Sequence, residues 1–221
     1  MTVAEYILIA FPALIVILNP LMAASSFMSM TMSQSDAAQL RIAKRACITA
    51  LIALIVFSFA GHLIFRIFNI TVEAFRIAGG IILFTIGMQM LKLQPSRIKQ
   101  TEEEREEALK KTQDVGIVPL GIPILVGPGT ITTVLVLTAE INWQNKLIGT
   151  LQMTGLLISS LLSTVFIYFI LINSRRLIDI LKTTGIGVMT RVMGLILTVI
   201  ATQFVINGVK GLLPKFASLL S

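Results

Sequence analysis

Two proline-containing segments carry the residues with the clearest capacity for chemistry, Asn19-Pro20 and Gly127-Pro128-Gly129. Each lies near the middle of a long charge-free run, where an apolar helix is expected. Proline lacks a backbone N–H and clashes with the carbonyl four residues earlier, which predicts an interruption at both positions. A helix that restarts after an interruption offers N–H donors to an anion, and freed carbonyl groups offer acceptors to a cation. A small zwitterion needs both kinds of group.

Small polar residues and glycines accompany both interruptions. Ser25 follows the first proline, Thr130 follows the second, and Asn19 contributes an amide. Gly79 and Gly80 would let a substrate or a neighbouring helix approach closely. The predicted substrate-binding residues are Asn19, Pro20, Ser25, Gly79, Gly80, Gly127, Pro128, Gly129 and Thr130. The alternative is structural, because prolines often only kink membrane helices, hydroxyls bond back to the preceding turn, and glycines pack helices together.

The elements that must position these residues follow from the distribution of charge. Of the 221 residues, 55% are hydrophobic and only 13% are charged, whereas soluble domains average about 25% charged. Charge-free runs cover 6–35, 46–65, 77–91, 115–139, 147–174 and 192–209. A helix needs about 20 residues to cross the hydrocarbon core, so the six runs predict six transmembrane helices. This all-α, polytopic membrane class excludes a soluble enzyme, a nucleic-acid-binding protein and a disordered chain.

The basic residues predict how these helices are oriented. Of the 18 Lys and Arg residues, 13 fall in segments after the first, third and fifth helices, and five fall on the other side. The positive-inside rule then places both termini outside and the 94–114 loop in the cytoplasm. Within that loop, Thr101 and Glu104 have capping-box spacing and predict a short solvated helix. The expected location is the cytoplasmic (inner) membrane.

The two halves of the chain resemble each other. The matched motifs are Arg76-Ile77-Ala78-Gly79 with Arg191-Val192-Met193-Gly194, and Asn19-Pro20 with Gly127-Pro128. Because each half contains three predicted helices, an odd number, the second half must enter the membrane from the opposite side. The sequence therefore predicts a single transmembrane domain over 1–221 built as inverted repeats, with helices 1 and 4 broken at the midplane. Repeat one covers about 1–93, the linker about 94–114, and repeat two about 115–221.

No enzyme signature is found in the sequence. One histidine and one cysteine cannot form a metal site of useful spacing, and there is no Walker A or dinucleotide-binding motif. The charge-free runs contain no carboxylate, so a proton relay through a buried acid has no obvious residue. The prediction is a protein that is not an enzyme and has no cofactor. Arg76 is interpreted as an interfacial anchor, with a gating ion pair to Glu73 as the alternative.

These motifs resemble those of the MarC family, which includes the small neutral amino-acid transporters called SnatA. The residues that carry the resemblance are Asn19-Pro20, Phe75-Arg76-Ile77-Ala78-Gly79-Gly80, and the segment from Val118-Pro119-Leu120-Gly121 through Ile122-Pro123-Ile124-Leu125 to Val126-Gly127-Pro128-Gly129. The resemblance covers nearly the whole chain. It implies an inner-membrane protein with inverted three-helix repeats, related in plan to the LysE superfamily. It also implies small neutral substrates such as glycine or alanine. From the inverted repeats we expect alternating access, with one repeat rocking against the other.

Other functions remain open from the sequence. The chain could form a channel or an exporter for other small solutes, or it could recruit partners through the 94–114 loop without transporting anything. Expected partners are small neutral amino acids and the lipid bilayer, with H⁺ or Na⁺ as coupling ions to be tested and no nucleic acid. The sequence sets neither the direction of transport nor the oligomeric state.

Overall fold

The computed structural model describes residues 3–92 and 120–220, and the regular structure in these ranges is helical throughout, with no strand. The elements are α1 (Val3–Leu18), α2 (Pro20–Thr31), α3 (Asp36–Ile67), α4 (Val72–Leu91), a π-helical turn (Leu120–Leu125), α5 (Pro128–Ala139), α6 (Lys146–Ile172) and α7 (Ser174–Leu220). The all-helical class therefore agrees with the sequence prediction. The predicted helix within the 94–114 linker lies outside the described residues.

Within the described ranges, five helical segments are long and apolar enough to cross a membrane rather than the predicted six. They are Val3–Thr31, Asp36–Gly61, Val72–Leu91, Lys146–Ile172 and Thr184–Leu213. The predicted fourth span, 115–139, contains α5, which has 12 residues and is about 18 Å long. That length is too short to cross a core of about 30 Å. Residues 115–119 lie outside the described ranges, so the described part of this fourth span is shorter than a membrane-crossing helix.

The sequence explains the outward face of α3 and the start of α4. On α3, Ile52, Val56, Phe59 and Leu63 are all exposed, and their spacing of three and four residues gives one apolar face. Such a face needs lipid around it. Thr71 accepts the N–H of Ala74 at 3.2 Å, a side-chain cap that lets the chain turn sharply into α4.

Packing fixes the relative directions of the helices. On α1, Tyr6 packs in a cluster with Leu156 of α6, and Leu18 packs in a second cluster with Ile167. Because both residue numbers rise together, α1 and α6 run parallel. The Tyr6 hydroxyl also donates to the Leu137 carbonyl of α5 at 2.7 Å. Since Leu18 clusters with Leu125 just before α5, α5 runs antiparallel to α1.

Helices α4 and α7 form the most extensive helix pair in the described structure. Small residues recur at every seventh position on both, Gly80 and Gly87 on α4, and Gly194, Ala201 and Gly208 on α7. A Cβ atom on Gly87 would lie 2.9 Å from the Gly194 carbonyl oxygen, and one on Gly80 would lie 2.8 Å from that of Ala201. The two backbones are thus in direct antiparallel contact, which small residues permit.

Candidate functional site

The first helix interruption is at Asn19, between α1 and α2. Asn19 has φ 48° and ψ 74°, in the left-handed region, and Pro20 begins α2. Pro20 has no N–H for the Val16 carbonyl, so the normal helical bond is missing there. Asparagine tolerates left-handed backbone better than most residues, which explains its place before the proline. Regular helical hydrogen bonding resumes directly afterwards, because the Ala23 N–H donates to the Asn19 carbonyl at 3.0 Å.

The Asn19 side chain is buried and engaged with its own protein. Only 7% of the residue is exposed. Its Oδ1 accepts the Met22 N–H at 3.3 Å, and its Nδ2 donates to Met90 Sδ on α4 at 3.6 Å. The amide therefore caps α2 and contacts α4 together. An anion that uses the Met22 N–H must first displace the Asn19 oxygen.

The second interruption precedes α5 and has a different geometry. The Val126 N–H donates to the Gly121 carbonyl at 3.1 Å, a five-residue step that closes the π-helical turn. Gly127 is then extended, with φ −85° and ψ 179°, and α5 starts at Pro128 with no side-chain cap. The Thr130 hydroxyl donates back to the Leu125 carbonyl at 3.0 Å. The first turn of α5 thus presents backbone donors with no capping side chain over them.

The structure brings the two interruptions together. Leu18, which precedes Asn19, shares one buried cluster with Leu125 and Val126, which precede Gly127. A Cβ atom on Gly129 would lie 2.9 Å from Ile17 Cδ1. The two interruptions therefore lie near each other, between antiparallel helices.

Helix α4 covers the first turn of α5. A Cβ atom on Gly129 would lie 3.0 Å from Leu83 Cδ2 and 3.2 Å from Ile86 Cδ1. Leu83 is itself fully buried, with 0% exposure. In this conformation apolar side chains of α4 therefore lie against Gly129, whereas Pro128 beside it is exposed.

The remaining predicted residues fall in different environments. Gly79 faces α5, where a Cβ atom would contact the Thr132 methyl group, so it lies beside the interruptions. Gly80 faces α7 and belongs to the α4–α7 contact. Ser25 is half-buried on α2, Pro20 is buried, and Pro128 is exposed.

Several residues at this site were missed in the sequence. Leu83, Ile86 and Met90 of α4 contact the interruptions, and their spacing of three and four residues was the available signal, since it places them on one helical face.

Arg76 pairs with Glu140 at the end of α5, with 2.8 Å between Nη2 and Oε1. The sequence had offered Glu73 as the partner. The two residues are 64 positions apart in the sequence, so the spacing of nearby residues could not predict their contact.

Comparisons with known proteins match nearly the whole length of the chain. A family profile described as "MarC family integral membrane protein" matches residues 4–213. The chain belongs to the MarC family. This MarC protein is 36% identical to a UPF0056 membrane protein of Pyrococcus abyssi over 92% of the chain and 94% of the relative. It is 33% identical to YvbG of Bacillus subtilis over 97% and 99%, and 31% identical to YhcE of Escherichia coli over 92% of each. No solved structure matches it.

Membership and packing together make this MarC protein an integral, multi-pass membrane protein. Nothing in the described residues indicates catalysis, and these residues contain no group of three or more His, Cys, Asp or Glu side chains that could hold a metal ion. The chemistry of the site is therefore that of backbone donors, carbonyls, one amide and hydroxyl groups.

The left-handed backbone of Asn19 gives a testable difference between two substitutions. Asn19→Leu loses the cap and places a branched residue at positive φ, so we expect it to be less stable than Asn19→Gly by about 1–2 kcal/mol. Thermal unfolding in detergent measures the difference. Both variants lack the amide that contacts Met90, so that contact does not contribute to the difference. Equal stability of the two variants would contradict the assigned backbone geometry.

Proposed function

We propose that this MarC protein is a secondary transporter of small neutral amino acids, of the glycine and alanine class. The observation that carries the proposal is the meeting of the two helix interruptions beside the uncapped first turn of α5. Unsatisfied backbone groups are costly in a membrane unless they are buried in protein or line a cavity. Two helix interruptions close together in an apolar bundle are better explained by a bound ligand than by two independent kinks.

The geometry suits a zwitterion. A carboxylate would bind at the N–H groups of Gly129 and Thr130, where the helix dipole favours negative charge. The ammonium group would bind carbonyl oxygens at the interruptions, with the Asn19 amide oxygen as a further acceptor. No acid lies within the charge-free runs, so a net-neutral solute avoids placing an unpaired charge in the membrane interior. Ile17, Leu83 and Ile86 crowd Gly129, which favours a substrate with a small side chain.

The wider topology is proposed with it. Inverted repeats over about 1–93 and 115–221 would place the interruptions near the midplane, where secondary transporters bind their substrates. The bias of Lys and Arg would set both termini outside and the 94–114 loop inside the cytoplasmic membrane. A proton or sodium gradient would supply the driving force.

A channel is the competing function, and the closed packing over Gly129 speaks against an open pore. Counterflow separates the two. Proteoliposomes loaded with unlabelled alanine should accumulate external labelled alanine transiently, because a carrier exchanges one substrate for another. A channel gives simple equilibration without accumulation. Absence of counterflow despite measurable flux would replace the transporter by a channel.

A further inference from the structure

The helices pack as two bodies that cut across the predicted repeats. Helix α6 packs against α1 and α3, and α5 packs against α3 and α1, so these four helices are linked and we call them the core body. Helix α2 contacts both α6 and α7. Helices α4 and α7 make their most extensive contacts with each other, and we call them the α4–α7 pair. The first half of the chain contributes α1 and α3 to the core body, and the second half contributes α5 and α6. A rocking motion of one repeat against the other would have to separate these core contacts.

Unusual backbone conformations occur where the described connections join the two bodies. Asn69, between α3 and α4, has φ 50°, and Lys182, within α7 shortly after α6, has φ 53°. At Lys182, with ψ −180°, α7 is two helices joined by a kink. Hinges are commonly a few residues at element ends or in loops that absorb large changes in φ and ψ. Both connections therefore have a candidate hinge.

The contact between α4 and α5 is made by side chains that could separate when the two bodies move apart. Leu83 and Ile86 lie over Gly129, and Gly79 lies against Thr132. Further along, the Arg76–Glu140 ion pair joins the two bodies, with the side chains 21% and 35% exposed. An exposed ion pair of this kind contributes modestly and is readily broken and remade. The contact between α4 and α7 is of a different kind, since glycine and alanine backbones touch directly over several turns.

We propose that the α4–α7 pair moves as one unit against the core body, and that this motion uncovers the first turn of α5. The Arg76–Glu140 pair and the Leu83 and Ile86 side chains form the closed contact and separate when the pair moves. The inference rests on the proposed transport function for its purpose, but its geometry can be measured without transport. Alternating access then takes place between these two bodies rather than between the repeats.

Two pairs of engineered cysteines test the division into two bodies. The pairs are matched, because each joins a glycine position to a threonine position of α5, but only one of them links the two bodies. A Cβ atom on Gly79 lies 3.5 Å from Thr132 Cβ, across the two bodies, and one on Gly61 lies 3.4 Å from Thr138 Cβ, inside the core body. Both distances are near the range of about 3.5–4.5 Å that disulfides use. The variants are Gly79→Cys with Thr132→Cys and Gly61→Cys with Thr138→Cys, each in a Cys47→Ala background.

Oxidation should affect the two variants differently. Cross-linking 79 to 132 is expected to reduce counterflow at least about tenfold relative to the same variant kept reduced, because it locks the moving contact. Cross-linking 61 to 138 to the same extent should leave counterflow within about twofold of its reduced state, because it joins helices of one body. A block by the second cross-link, or normal counterflow with the first, would overturn the division.

A distance measurement separates this inference from the proposed function. Spin labels at Ala74→Cys and Lys146→Cys join α4 to the core body, whereas labels at Arg66→Cys and Lys146→Cys lie within it. The first pair should give two distance populations whose ratio changes when alanine is added, and the second pair should give one. Two populations without any counterflow would keep the motion and remove the transporter. Counterflow with one population in both pairs would keep the transporter and remove the motion.

Discussion

Gly129→Leu is expected to reduce uptake of glycine and alanine to the level of empty vesicles. Gly129 is the second residue of α5, at the second interruption, and a Cβ atom there would lie 2.9 Å from Ile17 Cδ1 and 3.0 Å from Leu83 Cδ2. The larger side chain would occupy the space in which the carboxylate must meet the first N–H groups of α5. The lost site leaves the helices themselves intact, so membrane insertion should persist. Initial rates of labelled uptake into proteoliposomes measure the effect.

A second substitution controls for misfolding. The neighbours of Gly129 are ends of flexible side chains, so Leu83→Ala in the same protein should relieve the crowding. We expect the double variant to regain the thermal stability of the wild type to within about 1 kcal/mol, since total core volume is restored. Uptake should stay absent because the leucine still fills the site. Recovery of uptake together with stability would show that Gly129 matters for packing alone.

Gly87→Leu is expected to cost at least about 3 kcal/mol of stability, the upper part of the range for overpacked interiors. Any side chain at this position would overlap Thr198 Oγ1, and its Cβ would lie 2.9 Å from the Gly194 carbonyl oxygen. A backbone carbonyl inside a helix cannot rotate away as a side chain can. The α4–α7 pair must therefore separate, and the protein should elute as aggregate in size-exclusion chromatography after extraction.

Gly185→Leu is the matched control for this result. Gly185 is also on α7, but a Cβ atom there would meet only the Leu181 side chain, at 3.2 Å. The residue is half-buried, so the new side chain can turn toward lipid. We expect this variant to remain monodisperse. Aggregation of both variants to the same degree would mean that α7 tolerates no added volume anywhere, and that the close contact at Gly87 has no special weight.

Local chemistry explains which features of the site were predictable. The missing N–H of Pro20 and of Pro128 acts within one helical turn, so the interruptions could be located from the sequence. The π-helical turn could not, because it depends on the Val126 N–H reaching the Gly121 carbonyl. Asparagine can adopt the left-handed backbone conformation but does not require it. The sequence alone could therefore not assign this conformation to Asn19.

Contacts between helices were harder to predict. Gly79 and Gly80 are adjacent in sequence and were grouped together, but successive residues in a helix point about 100° apart. Gly79 therefore faces α5 while Gly80 faces α7. For Arg76 the nearby Glu73 was the natural choice of partner, because residues three apart share a helical face. The structure pairs Arg76 with Glu140, a partner on another helix, since α5 packs against that face of α4.

The most direct test of the central claim is uptake of labelled alanine by the purified protein in proteoliposomes, measured against alanine concentration under imposed proton and sodium gradients. We predict saturable uptake that excess unlabelled glycine competes away and that Gly129→Leu abolishes. Flux equal to that of empty vesicles under every gradient, with the protein inserted and folded, would contradict the assignment of this site to amino-acid transport.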